Sequence, residues 1–136
     1  MTGLKWWMRV VGALYLFLFV ASAGLKTPIK IEGPVGLLNQ AAAGDRTAEF
    51  VVDTWVTLGA VFGAIGAGLL VASRIPHRAI ALVWTVIGLE ATAIVVDVYK
   101  IMRGYDVAAL VMGIVIHSVI IAAGLEVVRR ASRFEP

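Results

Sequence analysis

The amino-acid sequence predicts an all-α fold: a four-helix transmembrane bundle with a long outer loop between helices 1 and 2. Hydrophobic residues make up 60% of the 136 residues and charged residues only 15%, and the mean hydropathy is +0.92. A soluble domain is usually about 45–50% apolar and about a quarter charged, so the excess apolar surface is expected to face lipid. Four apolar runs approach the roughly 20 residues that cross a hydrocarbon core. Because hydrocarbon offers the backbone no hydrogen-bond partner, each run is expected to be a helix.

The four predicted membrane helices form one membrane domain that covers residues 1–136. Their bounds are about 6–23, 51–73, 79–102 and 107–128. A basic turn containing Pro76 separates the second helix from the third, and a turn at residues 104–106 separates the third from the fourth. Because both turns are short, the last three helices are predicted to run up, down and up.

The segment between the first two membrane helices, residues 24–50, is the only long connection. It contains Pro28 and Pro34, followed by the apolar residues 35–43. This second part is predicted to be either a short helix along the membrane surface or part of a cap over the bundle.

The first apolar run has two interpretations. Lys5 and Arg9 precede or enter an apolar core that ends in Ala21-Ser22-Ala23, a pattern that also fits a cleavable secretory signal. Trp6 and Trp7, however, are typical of the interfacial residues that flank a permanent span. We expect the segment to be retained as the first membrane helix.

The charged residues predict an orientation rather than a nucleic-acid site. The 12 basic and 9 acidic residues give a net charge of +3, but the basic ones lie at the ends of the apolar runs and form no stripe. One side carries seven: Lys5, Arg9, Arg74, Arg78, Arg129, Arg130 and Arg133. The other carries five: Lys26, Lys30, Arg46, Lys100 and Arg103. The positive-inside rule therefore places both termini in the cytoplasm. The predicted partners of the basic residues are membrane lipids, and no nucleic-acid partner is predicted.

Two ionisable residues are predicted near the middle of the third and fourth membrane helices. Glu90 and His117 both fall about 15–18 Å from the outer turn at about 1.5 Å per residue, so neighbouring antiparallel helices would bring them to one level. A charge at this depth costs roughly 3 kcal/mol. The pair is either a proton-sensitive polar site or a structural hydrogen bond between helices with Glu90 protonated.

Further polar and aromatic residues extend this candidate ligand site toward the outer side. Asp97 follows Glu90 by two helical turns, and Asp53 begins the second membrane helix, where the helix dipole would also favour a carboxylate. For Asp97, an ion pair with Lys100 is a simpler explanation than a ligand-binding role. The residues predicted to line an outward-opening funnel are Glu90, His117, Asp97 and Asp53, with Trp55, Trp84 and Tyr99 as its walls.

No metal, cofactor or catalytic residue is predicted. The absence of cysteine excludes thiolate metal sites, disulfides and cysteine nucleophiles. The spacing of the carboxylates and His117 matches no metal motif, and nothing resembles a phosphate loop, a HExxH zinc helix or a nucleophile elbow.

Small residues form one face of the second membrane helix. Gly59, Gly63 and Gly66 alternate there with alanines, and the Gly59-x-x-x-Gly63 spacing is typical of closely packed membrane helices. We expect this face to pack within the bundle, with a dimer interface as the alternative.

Several of these segments together resemble the BphX-like family of small bacterial membrane proteins, within the broader DoxX-like four-helix layout. They are LKWWMRVVGALYLFLF at the start, Asp53-Thr54-Trp55-Val56, the acidic stretch from Gly88 to Asp97, and His117. The resemblance implies a bacterial inner-membrane location. Because some members accompany aromatic-degradation genes, it also favours a connection with hydrophobic compounds. It transfers no functional residues.

The function that the sequence favours is binding, or assisting the passage of, a hydrophobic or aromatic small molecule or lipid. Four helices enclose little volume, so an oligomer would suit such a role. The alternatives are a scaffold or accessory subunit that docks through its small-residue face, and an intramembrane enzyme using acid–base chemistry at Glu90 and His117.

Overall fold

The computed structural model describes residues 2–24, 37–105 and 107–132, and it shows the all-α fold that the sequence predicts. Over these residues there is no strand. The helices are α1 (Thr2–Phe19), α2 (Leu37–Ala42), α3 (Arg46–Ala72), α4 (Ile80–Met102) and α5 (Val107–Ser132), and a π-helical turn follows α1 at Val20–Gly24. Four of them, α1, α3, α4 and α5, are long and apolar enough to cross a membrane. The protein is a membrane protein.

The start of α3 corrects the interpretation of Asp53. The helix begins at Arg46 because Asp45 caps it: its Oδ1 accepts hydrogen bonds from the backbone N–H groups of Thr47 at 2.8 Å and Ala48 at 3.1 Å. Asp53 is therefore two turns inside the helix, beyond the reach of its N-terminal dipole. The apolar pattern begins later than the helix because the first turn of α3 is polar.

Each of the two short turns has a well-defined backbone conformation. Pro76–Arg78 form a single 3₁₀ turn between α3 and α4, closed by a hydrogen bond from the Ala79 N–H to the Pro76 carbonyl. At the end of α4, Gly104 has a φ of +84°, a conformation that glycine adopts without a steric penalty. The predictions for Pro28, Pro34 and Asp106 lie outside the described residues, whereas α2 covers part of the predicted short helix.

The described residues form two compact units, and each is treated by itself. The first unit comprises Met1–Arg9 with Val71–Pro136, and the second comprises Val10–Leu70. In the first unit, α4 and α5 pack as an antiparallel hairpin, joined by the first two turns of α1. Trp7 of α1 is 7% exposed, and its indole Nε1–H donates a hydrogen bond to the Ile120 carbonyl of α5 at 3.3 Å.

The burial of Trp7 shows that the two N-terminal tryptophans differ in role. Trp6 is 58% exposed, as expected of an interfacial residue, but the interpretation of Trp7 as a second such residue is wrong. A ring beside Gly124 explains this: a Cβ at that glycine would lie 3.1 Å from Cζ2 of Trp7. The missing side chain leaves room for the indole against α5.

In the second unit, α1 and α3 approach each other through glycine. A Cβ added to Gly66 would lie 2.7 Å from the carbonyl oxygen of Gly12, and one added to Gly63 would lie 2.8 Å from the ring of Phe19. The Tyr15 and Phe62 rings meet edge to face nearby, with centroids 5.2 Å apart. The predicted small-residue face of α3 thus packs inside the unit, and Gly59 on the same helix is buried.

Candidate functional site

The candidate site lies between α4 and α5, and the packing of α4 determines which of its side chains face α5. Val83, Val86, Ile87 and Glu90 are buried, at the spacing of three, four and seven residues that marks one face of a helix. Asp97 continues this face two turns later. A carboxylate at the end of an apolar stripe is thus turned toward the neighbouring helix.

His117 of α5 meets Glu90 directly, as the sequence suggests. The imidazole Nδ1 and the Glu90 Oε2 form a hydrogen bond. The Glu90 side chain is 4% exposed and that of His117 is 26% exposed. The carboxylate is therefore buried, whereas the imidazole is partly accessible.

The second imidazole nitrogen faces another carboxylate. Nε2 of His117 lies 3.7 Å from Oδ2 of Asp97, which is longer than a direct N–H···O hydrogen bond of about 2.7–3.2 Å. Oδ1 of the same carboxylate lies 3.8 Å from Nζ of Lys100, one turn further along α4. Glu90, His117, Asp97 and Lys100 together form what we call the polar cluster.

This geometry supports two arrangements of charge. A protonated imidazole would present one N–H to each carboxylate, and with Lys100 the four groups would then sum to zero. Transfer of one proton from His117 to Glu90 would leave a carboxyl that donates to Nδ1, and the sum would be unchanged. A proton shared along this hydrogen bond therefore creates no net charge, which matters because isolated charges at membrane depth are costly.

Gly113 allows the Asp97 carboxylate to lie close to α5. It lies one turn before His117 on the same face of α5, and a Cβ there would lie 2.9 Å from Oδ2 of Asp97 and 3.9 Å from Nε2 of His117. The missing side chain therefore lets the Asp97 carboxylate approach this face of α5. Gly113 is not among the residues predicted from the sequence, although its separation of four residues from His117 was the available signal.

The polar cluster is not arranged as a metal site. No group of three or more His, Cys, Asp or Glu side chains that could hold a metal ion occurs in the described ranges. The Glu90 carboxylate lies at Nδ1 of the imidazole and the Asp97 carboxylate at Nε2. Metal ligands, in contrast, converge on one point.

The chain was also compared with known protein families, curated proteins and solved structures. A family model described as BphX-like matches residues 1–133. The chain belongs to the BphX-like family. No curated protein and no solved structure matches it.

Among the other residues predicted for the site in this BphX-like protein, Trp84 and Tyr99 are on α4 and are 50% and 59% exposed. Asp53 and Trp55 belong to the second unit. Asp53 lines an open groove of about 420 Å³ with Phe50, Thr57 and neighbouring residues of α3. Within the first unit, the structure brings together the predicted residues Glu90, Asp97 and His117.

Trp55 has an unusual donor. Its indole Nε1 is buried and has no hydrogen-bond partner among the described residues. A buried donor without a partner costs about 1–3 kcal/mol. Trp55 therefore stays a predicted ligand contact within the second unit, with a specific atom that a ligand oxygen would satisfy.

Proposed function

We propose that the protein binds a small hydrophobic molecule, aromatic or lipid, and assists its passage through the membrane. The molecule carries a polar group such as a hydroxyl, and this group docks at the polar cluster. The observation that supports this proposal is the position of Nε2 of His117, 3.7 Å from Oδ2 of Asp97, on a side chain that is 26% exposed. A hydroxyl that bridges the two atoms from the side would accept a hydrogen bond from Nε2–H and donate one to the carboxylate.

The membrane setting favours such a ligand. A hydrophobic body partitions into the hydrocarbon beside α4 and α5, where its polar group lacks water. Two preformed partners at the cluster would replace that water, so the recognition energy would come from the polar group and the local concentration from the apolar body. A compound without the polar group would share only the second contribution.

Each residue has a distinct role in this proposal. Glu90 is a positioning residue, because it holds Nδ1 and thereby directs Nε2 toward Asp97. His117 and Asp97 contact the ligand. Gly113 allows the Asp97 carboxylate to lie beside His117, since a Cβ at this position would lie 2.9 Å from that carboxylate.

The location and topology that accompany this function are also proposals. We infer a multi-pass protein of the bacterial inner membrane with both termini in the cytoplasm, on the excess of basic residues at one side of the spans. Because the chain contains no cysteine, single cysteines introduced at Arg78 and at Arg103 would report the two sides. Labelling of Arg78→Cys by a membrane-impermeant reagent in intact cells would contradict this topology.

The test of ligand binding uses the protein in nanodiscs with 1-naphthol as the probe and naphthalene as its apolar counterpart. Binding is measured as the change in probe fluorescence after correction for partitioning into empty nanodiscs. We expect 1-naphthol to bind more tightly by about tenfold, the value of one hydrogen bond of about 1.4 kcal/mol. His117→Ala and Asp97→Asn should remove this difference, and Gly113→Ala should reduce it.

One control variant and two contrary outcomes make the result decisive. Glu49→Gln removes an exposed carboxylate from the first turn of α3 and should leave the difference unchanged. Equal binding of both probes to the unchanged protein, or a difference that survives His117→Ala in a folded variant, would exclude the polar cluster as the docking point.

The accessory-subunit alternative would need a surface other than the one predicted for it. Gly63 and Gly66 approach α1 within the second unit, so this face of α3 is already occupied. Self-association remains compatible with the proposed function, and it would enlarge the volume available to a ligand.

A further inference from the structure

A second site is suggested by a groove in the first unit, at the N-terminal end of α1 and the turn after α3. The groove has a volume of about 410 Å³ and is lined by Thr2, Lys5, Trp6, Arg9, Arg74 and Pro76. This size lies within the range of about 300–1,000 Å³ that is typical of small-molecule sites. Neither the polar cluster nor the proposed function involves these residues.

The lining of this basic groove carries three positive charges and no carboxylate. The ion pairs found in the described part of the chain lie elsewhere: those of Asp97 with Lys100 and His117, that of Glu90 with His117, and those of Glu126 with Arg129 and Arg130. Three cations that share a cavity without a counter-charge repel one another. An anion that enters the groove would remove this repulsion.

One of the three cations is held in place by its neighbours. Nε of Arg9 lies 3.5 Å from Oγ of Ser73, and the guanidinium carbon lies 5.5 Å from the centroid of the Trp6 ring. These contacts use Nε and one face of the guanidinium, so the two terminal nitrogens are left for a ligand. A guanidinium fixed in this way favours the paired oxygens of a phosphate.

The surroundings also indicate a membrane-surface position. Lys5 and Arg9 are one helical turn apart on α1, and Trp6 between them exposes 58% of its surface. A half-exposed tryptophan beside basic residues at a helix end is typical of the headgroup level of a membrane. Basic pockets between membrane helices are known to receive the phosphates of anionic lipids.

We propose that this basic groove binds a phosphate anion, presented by an anionic lipid headgroup or free in solution. Lys5, Arg9 and Arg74 supply the positive charge, and Arg9 orients the phosphate through its terminal nitrogens. Trp6 packs beside the glycerol part when the phosphate belongs to a lipid. The groove is distinct from the site of the proposed function, so either proposal can fail alone.

The test measures which lipids stay bound to the purified protein. The protein is reconstituted in nanodiscs that contain equal amounts of phosphatidylglycerol and phosphatidylcholine, and native mass spectrometry counts the lipids retained on it. We expect retained phosphatidylglycerol to exceed phosphatidylcholine. Lys5→Gln with Arg74→Gln should lower this excess about thirtyfold, since the two cations removed each contribute roughly 1 kcal/mol near the surface.

A matched control and a competitor distinguish the outcomes. Arg78→Gln with Arg103→Gln also removes two positive charges, but neither residue lines the groove, so this variant should retain the excess. Addition of inorganic phosphate distinguishes the sources: displacement of phosphatidylglycerol indicates a site for free phosphate, and no displacement indicates a lipid site. Equal retention of both lipids, or equal losses in the two double variants, would overturn the proposal.

Folding of the groove variants is checked independently. Far-UV circular dichroism and the midpoint of thermal unfolding report whether each variant keeps its helical fold. If the double variant loses this fold, Lys5→Gln and Arg74→Gln are measured singly. A folded single variant with unchanged retention of phosphatidylglycerol would also count against the proposal.

Discussion

Nδ1 of His117 is hydrogen-bonded to Oε2 of Glu90 across the α4–α5 hairpin. Both residues lie in helices that are long and apolar enough to span a membrane, where a carboxylate without a partner would be costly. The same contact fixes the ring so that Nε2 points toward Asp97. One hydrogen bond therefore joins the two helices and orients the group to which we assign ligand binding.

A double-mutant cycle should show that Glu90 and His117 stabilise each other. Glu90→Ala, His117→Ala and the double variant are compared with the unchanged protein by reversible unfolding in mixed micelles. We expect a coupling free energy between about 0.6 and about 1.7 kcal/mol, the range for polar contacts between membrane helices. The coupling arises because either single change leaves the other polar group without its partner.

The matched control for this cycle is the pair of Glu126 and Arg130 on α5. Their contact of 2.6 Å is shorter than many ion pairs, but the side chains are 40% and 71% exposed. Pairs of this kind usually contribute about 0.2–0.5 kcal/mol. If the Glu90–His117 coupling is no larger than that of this exposed pair, the contact does not hold the hairpin together.

Alanine substitution should have different effects on stability at Gly66 and at Gly88, because these two helical glycines have different surroundings. Gly66→Ala places a Cβ 2.7 Å from the Gly12 carbonyl oxygen and 3.0 Å from the Leu16 backbone nitrogen. Backbone atoms cannot move aside as a flexible side chain does, so α1 and α3 must separate. We expect a loss of stability of about 1–3 kcal/mol, the cost of overpacking.

Gly88→Ala in α4 is the corresponding control, because nothing lies within 4 Å of the added Cβ. Alanine is the better helix former by up to about 1 kcal/mol, so this variant should be equal in stability to the unchanged protein or slightly more stable. Both values come from the same unfolding experiment. Equal losses in the two variants would show that the close approach of α1 to α3 does not determine stability.

The two neighbouring tryptophans should respond differently to replacement by phenylalanine. Trp7→Phe removes the indole donor to the Ile120 carbonyl and reduces packing beside Gly124, so we expect a loss of about 1–2 kcal/mol. Trp6→Phe changes an exposed ring and should alter stability by less than about 0.5 kcal/mol. Unfolding of each variant provides the comparison, and a larger loss for Trp6→Phe would contradict the assignment of Trp7 to the core.

Particular residues show which features of the structure could be predicted from the sequence. The four membrane helices follow from apolar runs whose length and composition are readable directly, and the meeting of Glu90 with His117 follows from their depth. Trp7 was misplaced because a tryptophan near a helix start has the same composition whether it faces lipid or a neighbouring helix. The start of α3 was placed too late because its first turn is polar and is stabilised by the Asp45 cap rather than by burial.

The sequence by itself determined the fold class, since hydrocarbon leaves an apolar run of about 20 residues no choice but to satisfy its backbone as a helix. It also determined which ionisable residues lie within the long apolar helices. Only the tertiary structure decided that Nε2 of His117 faces Asp97 beside Gly113, and that Lys5, Arg9 and Arg74 share one groove. Such relations depend on the rotation and register of packed helices, which arise from contacts between residues far apart in the chain.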